Sequence, residues 1–190
     1  KEEIKSMEID IYSRTEMLIG KENIQKLKKS HVAICGIGGV GSYTMEALAR
    51  VGIGTLTLID KDIVDKTNIN RQIIATTKTI GKSKVEVAKE RINSINPNIK
   101  VITIKDSISC DNIIGLIDFS NVDYIVDAVD DMKAKISIIK NCYDKNIPCI
   151  SCMGMGNRLN PLEIKVTDIY KTANCGLAKK IRKELKKIGI

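Results

Sequence analysis

The apolar residues of this chain occur in two patterns: short continuous runs and longer stretches with helical spacing. Residues 32–35 and Thr55–Ile59 are apolar runs with the length expected of buried parallel strands. Residues 42–51 lie between them, show helical periodicity and contain good helix formers. Gly52 and Gly54 follow this stretch and predict the end of the helix. Together these segments predict a complete β-α-β unit.

The same two patterns continue along the rest of the chain and predict an α/β fold. The expected architecture is a Rossmann-like, doubly wound, mostly parallel sheet flanked by helices. Residues 163–168 alternate apolar and polar side chains, which predicts an added antiparallel strand near the C-terminus. The other predicted helices are residues 5–30 (broken at Gly20), 84–95, 112–117 and 132–145, and the other predicted strands are residues 100–105, 123–129 and 148–151.

Length and composition fit one globular α/β unit. The chain has 190 residues, of which 43% are hydrophobic and 28% charged. No apolar run reaches the roughly 18 residues that a membrane span needs. The first residues, K-E-E-I-K-S-M-E, lack the apolar core of a signal peptide, so we expect a cytoplasmic protein. The predicted divisions are an N-terminal helical segment (1–30), a nucleotide-binding domain (31–170) and a basic helical segment (171–190).

A glycine motif joins the first strand to the first helix of the β-α-β unit. Gly36, Gly38 and Gly41 form G-x-G-x-x-G, in which each glycine allows close approach of backbone to phosphate or of helix to strand. The following helix presents free N–H groups and a positive dipole end to an anion. Asp60 ends the second strand and can accept hydrogen bonds from ribose hydroxyls. An empty tight turn is the alternative, but the complete unit favours nucleotide binding.

A polar stretch follows Asp60 where ligands bind in folds of this kind. Arg71 can form a forked contact with phosphate, and Asn70 and Gln72 carry amide donors. Taken alone, however, the stretch is better explained as an ordinary polar loop.

Charged residues at two further predicted helix starts suggest functional roles. Lys82 or Lys84 can reach a phosphate, although a solvated lysine is the alternative. Because a cation at a helix start opposes the dipole, a functional reason is slightly favoured. Asp130 follows a predicted strand at the same edge and can hold Mg²⁺ against a triphosphate. Asp130 or Asp131 can instead act as the N-cap of the next helix.

Net charge and cysteines add information about partners. The net charge is +8, and much of the excess lies in residues 179–187, which favours a polyanion such as nucleic acid. A lysine-rich surface without such a partner is the alternative. Of the six cysteines, Cys149 and Cys152 form one C-x-x-C without a second pair, so we do not expect zinc. Buried free thiols are the default interpretation.

The order of these motifs resembles one superfamily. G-I-G-G-V-G-S, L-I-D-K-D, N-I-N-R-Q, G-K-S-K and D-A-V-D-D follow one another as in the ubiquitin-activating-enzyme-like (ThiF/MoeB/HesA) adenylating enzymes. Within that group the chain is most similar to the tRNA threonylcarbamoyladenosine dehydratase family. The similarity rests on G-S-Y-T-M-E-A-L-A-R-V-G-I-G, on D-I-Y-K-T before a basic helix, and on the missing paired C-x-x-C of the sulfur-carrier enzymes.

This resemblance implies roles for individual residues. ATP would lie on the glycine turn with its ribose on Asp60, Mg²⁺ would bind Asp130, and Arg71 would act in catalysis. Arg14 matches an arginine that reaches the ATP site of a partner subunit, which implies a homodimer. The implied ATP-binding residues are Gly36, Gly38, Gly39, Gly41, Asp60, Asp62, Asn70, Arg71, Gln72 and Lys84.

The resemblance also implies a reaction and partners. A carboxylate of threonylcarbamoyladenosine in tRNA would be adenylated and would then cyclise with loss of AMP. The alternative is adenylation of the C-terminal glycine of a ubiquitin-like sulfur carrier. A third reading is an NAD oxidoreductase or a non-catalytic nucleotide-binding module. Implied partners are tRNA, a second copy of the chain and sulfur-transfer accessory proteins. Family members continue beyond residue 190 into a cysteine-containing C-terminal part, whose roles cannot be assigned to this chain.

Overall fold

A five-stranded parallel sheet forms the centre of the computed structural model, which describes residues 10–190. The strands are β1 (His31–Cys35), β2 (Thr55–Ile59), β3 (Lys100–Ile104), β4 (Tyr124–Asp127) and β5 (Cys149–Ser151). Their order across the sheet is β3-β2-β1-β4-β5, so the chain builds one half outward from β1 and then returns to build the other. This topology confirms the predicted Rossmann-like, doubly wound fold.

The helices agree closely with the sequence pattern. The break at Gly20 is confirmed, and residues 5–9 of the helical prediction lie outside the described residues. The divisions at residues 30 and 170 stay a prediction. The helices are α1 (Ser13–Ile19), α2 (Lys21–Lys29), α3 (Gly41–Val51), α4 (Lys84–Ile95), α5 (Ile113–Leu116), α6 (Met132–Asp144) and α7 (Gly176–Lys187).

The core consists of two apolar layers, one on each face of the sheet. Alternate residues of β1 point to opposite faces, so a single strand contributes to both layers. One layer packs β1 and β2 against α3 and α4 through Val32, Ile34, Leu56, Met45, Ala49 and Ile92. The other packs β1 against α5 and α6 through Ala33, Cys35, Ile113, Ile117, Ile138 and Cys142.

Strand register brings the ends of three strands to one level. Cys35, the last residue of β1, pairs with Ile59 of β2 and Asp127 of β4. Gly36 and Asp60 therefore begin their loops side by side at the carboxyl edge of the sheet. This edge is where parallel α/β sheets bind ligands.

The predicted antiparallel strand at residues 163–168 is wrong. A 3-10 helix, Pro161–Glu163, occupies its start, and residues 164–168 have no regular structure. The alternation needs a partner that covers its apolar face, yet Ile164 is 58% and Val166 is 88% exposed. No strand among residues 10–190 lies beside this segment.

Within the same described range, no helix is both long enough and apolar enough to span a membrane.

Candidate functional site

The glycine turn between β1 and α3 is packed too closely for side chains at two positions. Gly36 has φ +89°, and a Cβ built on it would lie 2.9 Å from the carbonyl oxygen of Ala128. A Cβ on Gly41 would lie 1.8 Å from the Gly36 oxygen. Near Gly38, by contrast, the nearest atom is the Gln72 amide nitrogen at 4.0 Å. The turn is therefore tight at its ends and open in the middle, next to the N-terminus of α3.

Asp60 fixes this turn from the neighbouring strand. One carboxylate oxygen accepts the Ile37 N–H at 2.7 Å, and the other accepts the Asp62 N–H at 2.8 Å. Its side chain is only 9% exposed. Each oxygen keeps a further lone pair, so Asp60 holds the turn and can still accept a ligand hydroxyl.

Lys84 is buried rather than solvated, although it lies at the start of α4. Its Nζ donates to a carboxylate oxygen of Asp62 at 2.9 Å and lies 3.9 Å from Asp60. The backbone brings them together, because the Lys84 N–H donates to the Asp62 carbonyl oxygen. Lys82 is exposed. Of the two lysines considered from the sequence, the structure therefore brings Lys84 to the acidic residues after β2.

The N-R-Q segment packs against the open part of the glycine turn. Arg71 lies beside Gly39, where a built Cβ would be 3.5 Å from the arginine Cγ. Its guanidinium is exposed and donates to the Asn70 side chain at 2.9 Å. Gln72 is 5% exposed, and its Oε1 has no hydrogen-bond partner among the described residues. The Gln72 atom nearest to Gly38 is the amide nitrogen, so this side chain presents a hydrogen-bond donor to the open part of the turn.

The two adjacent aspartates after β4 have different roles. Asp131 is the N-cap of α6, where its carboxylate accepts the Ala134 N–H at 2.8 Å. Asp130 is exposed and has no hydrogen-bond or ion-pair partner in the described part of the chain. The capping role suggested for one of the pair therefore belongs to Asp131, which leaves the Asp130 carboxylate available.

A buried polar network beneath this loop was missed by the sequence reasoning. Asp127 and Lys135 are both 0% exposed and form an ion pair at 2.9 Å, which Ser151 joins through its hydroxyl. Burial raises the pKa of Asp127, while Lys135 and Ser151 oppose that rise. One signal was present: Lys135 lies on the same face of the helix as the buried residues Ile138 and Cys142.

Arg14 lies in α1, at the end of the α3–α4 layer that is opposite the glycine turn. Tyr12, just before α1, is 5% exposed and its hydroxyl accepts a hydrogen bond from the Asn96 amide. Its ring packs against Gly52, where a built Cβ would be 2.6 Å away. Gly52 and Asn96 are the C-caps of α3 and α4, so α1 begins at the ends opposite the glycine turn. With 11 residues, α3 is about 16 Å long, so Arg14 is not brought to this chain's own site.

Of the six free cysteines, only Cys35 and Cys142 are buried, whereas Cys110 is exposed and the other three are half-buried. Burial raises the pKa of Cys35, and the pKa of Cys149 is raised by its hydrogen bond with Cys142 and by burial. Among residues 10–190, no three His, Cys, Asp or Glu side chains are grouped to hold a metal ion. The expectation of no zinc stays a prediction.

Comparisons with known proteins agree with this geometry. The family model described as "ThiF family" matches residues 12–187. The tRNA threonylcarbamoyladenosine dehydratase of Bacillus subtilis (strain 168) is 44% identical over 94% of this chain and 70% of its own length. The Escherichia coli (strain K12) protein of the same name is 41% identical over 92% of this chain and 65% of its own length.

Solved structures give the same result. The crystal structure of the E. coli dehydratase, TcdA, in complex with ATP superposes with a TM-score of 0.89 at 41% identity. The match covers 92% of this chain and 72% of that one. These proteins are longer than the present chain, which spans about two thirds of the curated relatives. The family match, the identities and the shared architecture lead to one conclusion: the chain belongs to the ThiF family.

Proposed function

We propose that this chain binds ATP at the glycine turn and adenylates the carboxylate of threonylcarbamoyladenosine in tRNA, which then cyclises. The observation that carries the proposal is the packing of the N-R-Q segment onto the open middle of the glycine turn, at the edge where Asp130 also lies. An ordinary NAD-binding turn needs no such segment. Relatives at 41–44% identity are named for this dehydratase, which favours tRNA over a sulfur carrier as the substrate.

The residues at the turn fit a nucleotide. Space around Gly38 leaves room for phosphate beside backbone N–H groups. The Gln72 amide nitrogen, which lies 4.0 Å from a Cβ built on Gly38, can donate a hydrogen bond to a phosphate oxygen. Asp60 keeps lone pairs for ribose hydroxyls. The crystal structure of the E. coli relative is in complex with ATP, which supports ATP as the nucleotide.

Two cationic side chains can reduce the charge repulsion that opposes the reaction. A carboxylate must approach a phosphate of like charge, so positive charge beside both lowers the barrier. Lys84 already lies in the site, and its partner Asp62 is 53% exposed. Asp62 can therefore return to water while Lys84 binds a phosphate. The exposed fork of Arg71, steadied by Asn70, is suited to a second phosphate contact.

The single carboxylate of Asp130 fits a Mg²⁺ site of the kind completed by phosphate and water. Magnesium is commonly bound through one or two carboxylates and substrate phosphates rather than a full protein cage. That agrees with an unpaired Asp130 and with no three-ligand cluster in the described residues. When bound, the ion would neutralise phosphate charge.

The proposed chemistry has two steps. An oxygen of the threonyl carboxylate attacks the α-phosphorus, which forms an acyl-adenylate and releases pyrophosphate. An atom of the same threonylcarbamoyl group then attacks the activated carbonyl carbon. AMP leaves with one original carboxylate oxygen, and the attacking atom loses its proton. The net change is a dehydration driven by ATP.

A homodimer is part of the proposal, because Arg14 lies about one helix length from its own site. α1 also exposes two adjacent apolar side chains, Met17 (76%) and Leu18 (84%). A second copy whose α1 approaches the glycine turn would bring Arg14 to the phosphates and cover these side chains.

Six free thiols are consistent with the reducing cytoplasm, where we expect the protein to act.

Mass spectrometry of tRNA nucleosides tests the proposal. Incubation of the protein with ATP, Mg²⁺ and tRNA that carries threonylcarbamoyladenosine should convert that nucleoside to a form lighter by one water. Pyrophosphate exchange into ATP should depend on the same tRNA. Exchange driven only by a carrier protein with a Gly-Gly end would show that the sulfur-carrier reaction is the correct one.

A further inference from the structure

The Asp127–Lys135–Ser151 network lies directly beneath the loop that carries Asp130. Lys135 of α6 donates to the Asp127 carboxylate at 2.9 Å and to the Ser151 hydroxyl at 3.3 Å. Ser151 donates to the same carboxylate oxygen at 2.5 Å. Three elements, β4, β5 and α6, are thus joined by one closed set of contacts between buried or half-buried groups.

Stability alone is a weak reason for this network. Burying two charges costs hydration free energy, and their mutual attraction in the interior offsets little more than that cost. Apolar side chains of similar volume often give equal or greater stability at such a position. The network is therefore better understood through the backbone that it holds.

That backbone leads straight to Asp130. The second oxygen of Asp127 accepts the Val129 N–H at 3.3 Å, and the Ala128 N–H donates to the Cys35 carbonyl oxygen at 2.8 Å. On the other side, Asp131 caps α6. Asp130 is the exposed residue between these fixed points.

The same loop supports the glycine turn. The carbonyl oxygen of Ala128 lies 2.9 Å from where a Cβ of Gly36 would be. A shift of residues 128–129 would therefore move both the turn and the Asp130 carboxylate. The network thus affects the position of both the glycine turn and the Asp130 carboxylate.

We propose that Asp127, Lys135 and Ser151 are positioning residues, which hold residues 128–131 against the glycine turn so that Asp130 keeps its place at the nucleotide. This inference rests on the proposed function. None of the three residues is assigned a contact with ATP or tRNA. Their effect is carried by the Val129 peptide and by the start of α6.

Variants of Ser151 test this without removing a charge. Ser151→Ala deletes the hydroxyl but leaves the ion pair, and Ser151→Thr restores a hydroxyl. The loss of one hydrogen bond corresponds to about a 3–10-fold change in an equilibrium. We expect Ser151→Ala to speed amide hydrogen exchange at residues 128–131 by about that factor. It should raise the ATP concentration for half-maximal pyrophosphate exchange similarly, and Ser151→Thr should reverse both changes.

The double variant Asp127→Leu with Lys135→Met separates positioning from stability. Because no unpaired charge is left buried, it should fold, yet its pyrophosphate exchange should fall by about tenfold or more. Glu46→Gln is the matched control, since it breaks an ion network between α3 and α4 away from this loop. It should lower the melting temperature without changing exchange at residues 128–131 or the ATP requirement.

The outcomes are distinct. If Ser151→Ala keeps native amide exchange and ATP dependence, the network is only structural and the inference is wrong, whether or not the double variant folds. If the native protein adenylates nothing, the proposed function is wrong instead. Amide exchange is measured without tRNA or ATP, so it still tests the network in that case.

Discussion

The Nζ atom of Lys84 donates a hydrogen bond to a carboxylate oxygen of Asp62 at 2.9 Å. The lysine side chain is 7% exposed, whereas the aspartate side chain is 53% exposed. Because of this difference in exposure, Asp62 is the partner that can leave the ion pair for water. Asp62 can be rehydrated at little cost, but Lys84 needs an anion close by. A phosphate that replaces Asp62 keeps the buried cation paired.

The first prediction follows from that exchange. Lys84→Met removes a charged hydrogen bond worth about 1.5–3 kcal/mol, so ATP affinity should fall roughly 10–100-fold by isothermal calorimetry. Lys82→Met changes the same residue type two positions earlier on an exposed side chain and should leave affinity within about twofold. Equal losses in both variants would show that general positive charge, not the Lys84 contact, binds ATP.

The second prediction separates the adjacent aspartates after β4. Asp130→Asn should abolish the Mg²⁺-dependent part of ATP binding while the melting temperature stays unchanged, because this carboxylate makes no contact within the described residues. Asp131→Ala removes an N-cap and should cost about 1 kcal/mol of unfolding free energy, with the Mg²⁺ dependence retained. Calorimetry with and without Mg²⁺, together with thermal melts, distinguishes them. The reverse assignment of effects would contradict both roles.

Local chemistry made much of the fold predictable. The strand at Thr55–Ile59 and the helix at Lys84–Ile95 have the predicted bounds, because an apolar run and a helical stripe each allow one buried arrangement. The glycine turn followed from the same logic, since only glycine fits where Gly41 approaches the Gly36 oxygen.

Features that depend on distant partners could not be predicted in this way. Residues 163–168 alternate like a strand, but alternation does not reveal whether another strand lies beside them. Asp127 of a strand pairs with Lys135 of the following helix. The position of Lys135 on the buried face of α6 was visible in the sequence, but the partner of each charge was not. The position of Arg14 was equally hidden, because it depends on Tyr12 packing onto the ends of α3 and α4.

The third prediction concerns acid stability. Burial raises the pKa of Glu46, but hydrogen bonds from Arg91 and Arg50 outweigh it and leave the pKa below its ordinary value. With a lowered folded-state pKa, the unfolded chain binds the proton more readily. The stabilisation is therefore present above the unfolded pKa of about 4.3 and is lost as pH falls through the folded value.

Thermal melts of Glu46→Gln against pH measure this contribution. The native protein should exceed the variant by about 1 kcal/mol near neutral pH, and the difference should shrink below about pH 4. Glu86→Gln, on an exposed position of α4, should show no pH-dependent difference. A constant difference for Glu46→Gln down to acidic pH would mean that packing, not charge, connects these helices.

The fourth prediction concerns the basic face of α7. The helix buries Ala178, Ile181 and Leu185, and its N-cap Cys175 lies 3.4 Å from a Cβ built on Gly154, just beyond β5. The helix and its lysines therefore begin near the carboxyl edge of the sheet, where the site lies. This position suits them to contact tRNA phosphates around the reacting nucleoside.

Salt dependence of tRNA binding tests that surface. Substitution of three exposed α7 lysines by glutamine should reduce the slope of log affinity against log salt by about 2–3. It should weaken the binding of all tRNAs alike. Three exposed lysines of α2, which precedes β1 at the opposite edge, are the control and should leave the slope unchanged. Equal effects of both sets would indicate diffuse attraction rather than a defined face. The α7 set is Lys179, Lys180 and Lys183, and the α2 set is Lys21, Lys26 and Lys29.

The fifth prediction addresses the homodimer through Arg14. If this residue acts across the interface, the Arg14→Ala homodimer lacks a cation at the phosphates of both sites. The Lys84→Met homodimer, whose ATP affinity is reduced, is nearly inactive when ATP is limiting. In a mixed dimer, the Arg14→Ala subunit keeps an intact nucleotide site and receives Arg14 from its Lys84→Met partner. One of its two sites is then complete. Random reassortment makes half of the dimers mixed, so about a quarter of native activity should return.

The measurement is pyrophosphate exchange at limiting ATP, before and after the two variants are unfolded together and refolded. Activity should rise from near zero to about one quarter of native, whereas each variant refolded alone should stay inactive. If Arg14 instead serves its own site, no mixed dimer contains a complete site and the mixture stays inactive. That result would require α1 to leave the place where Tyr12 is buried against Gly52, because the about 16 Å length of α3 separates this end from the glycine turn.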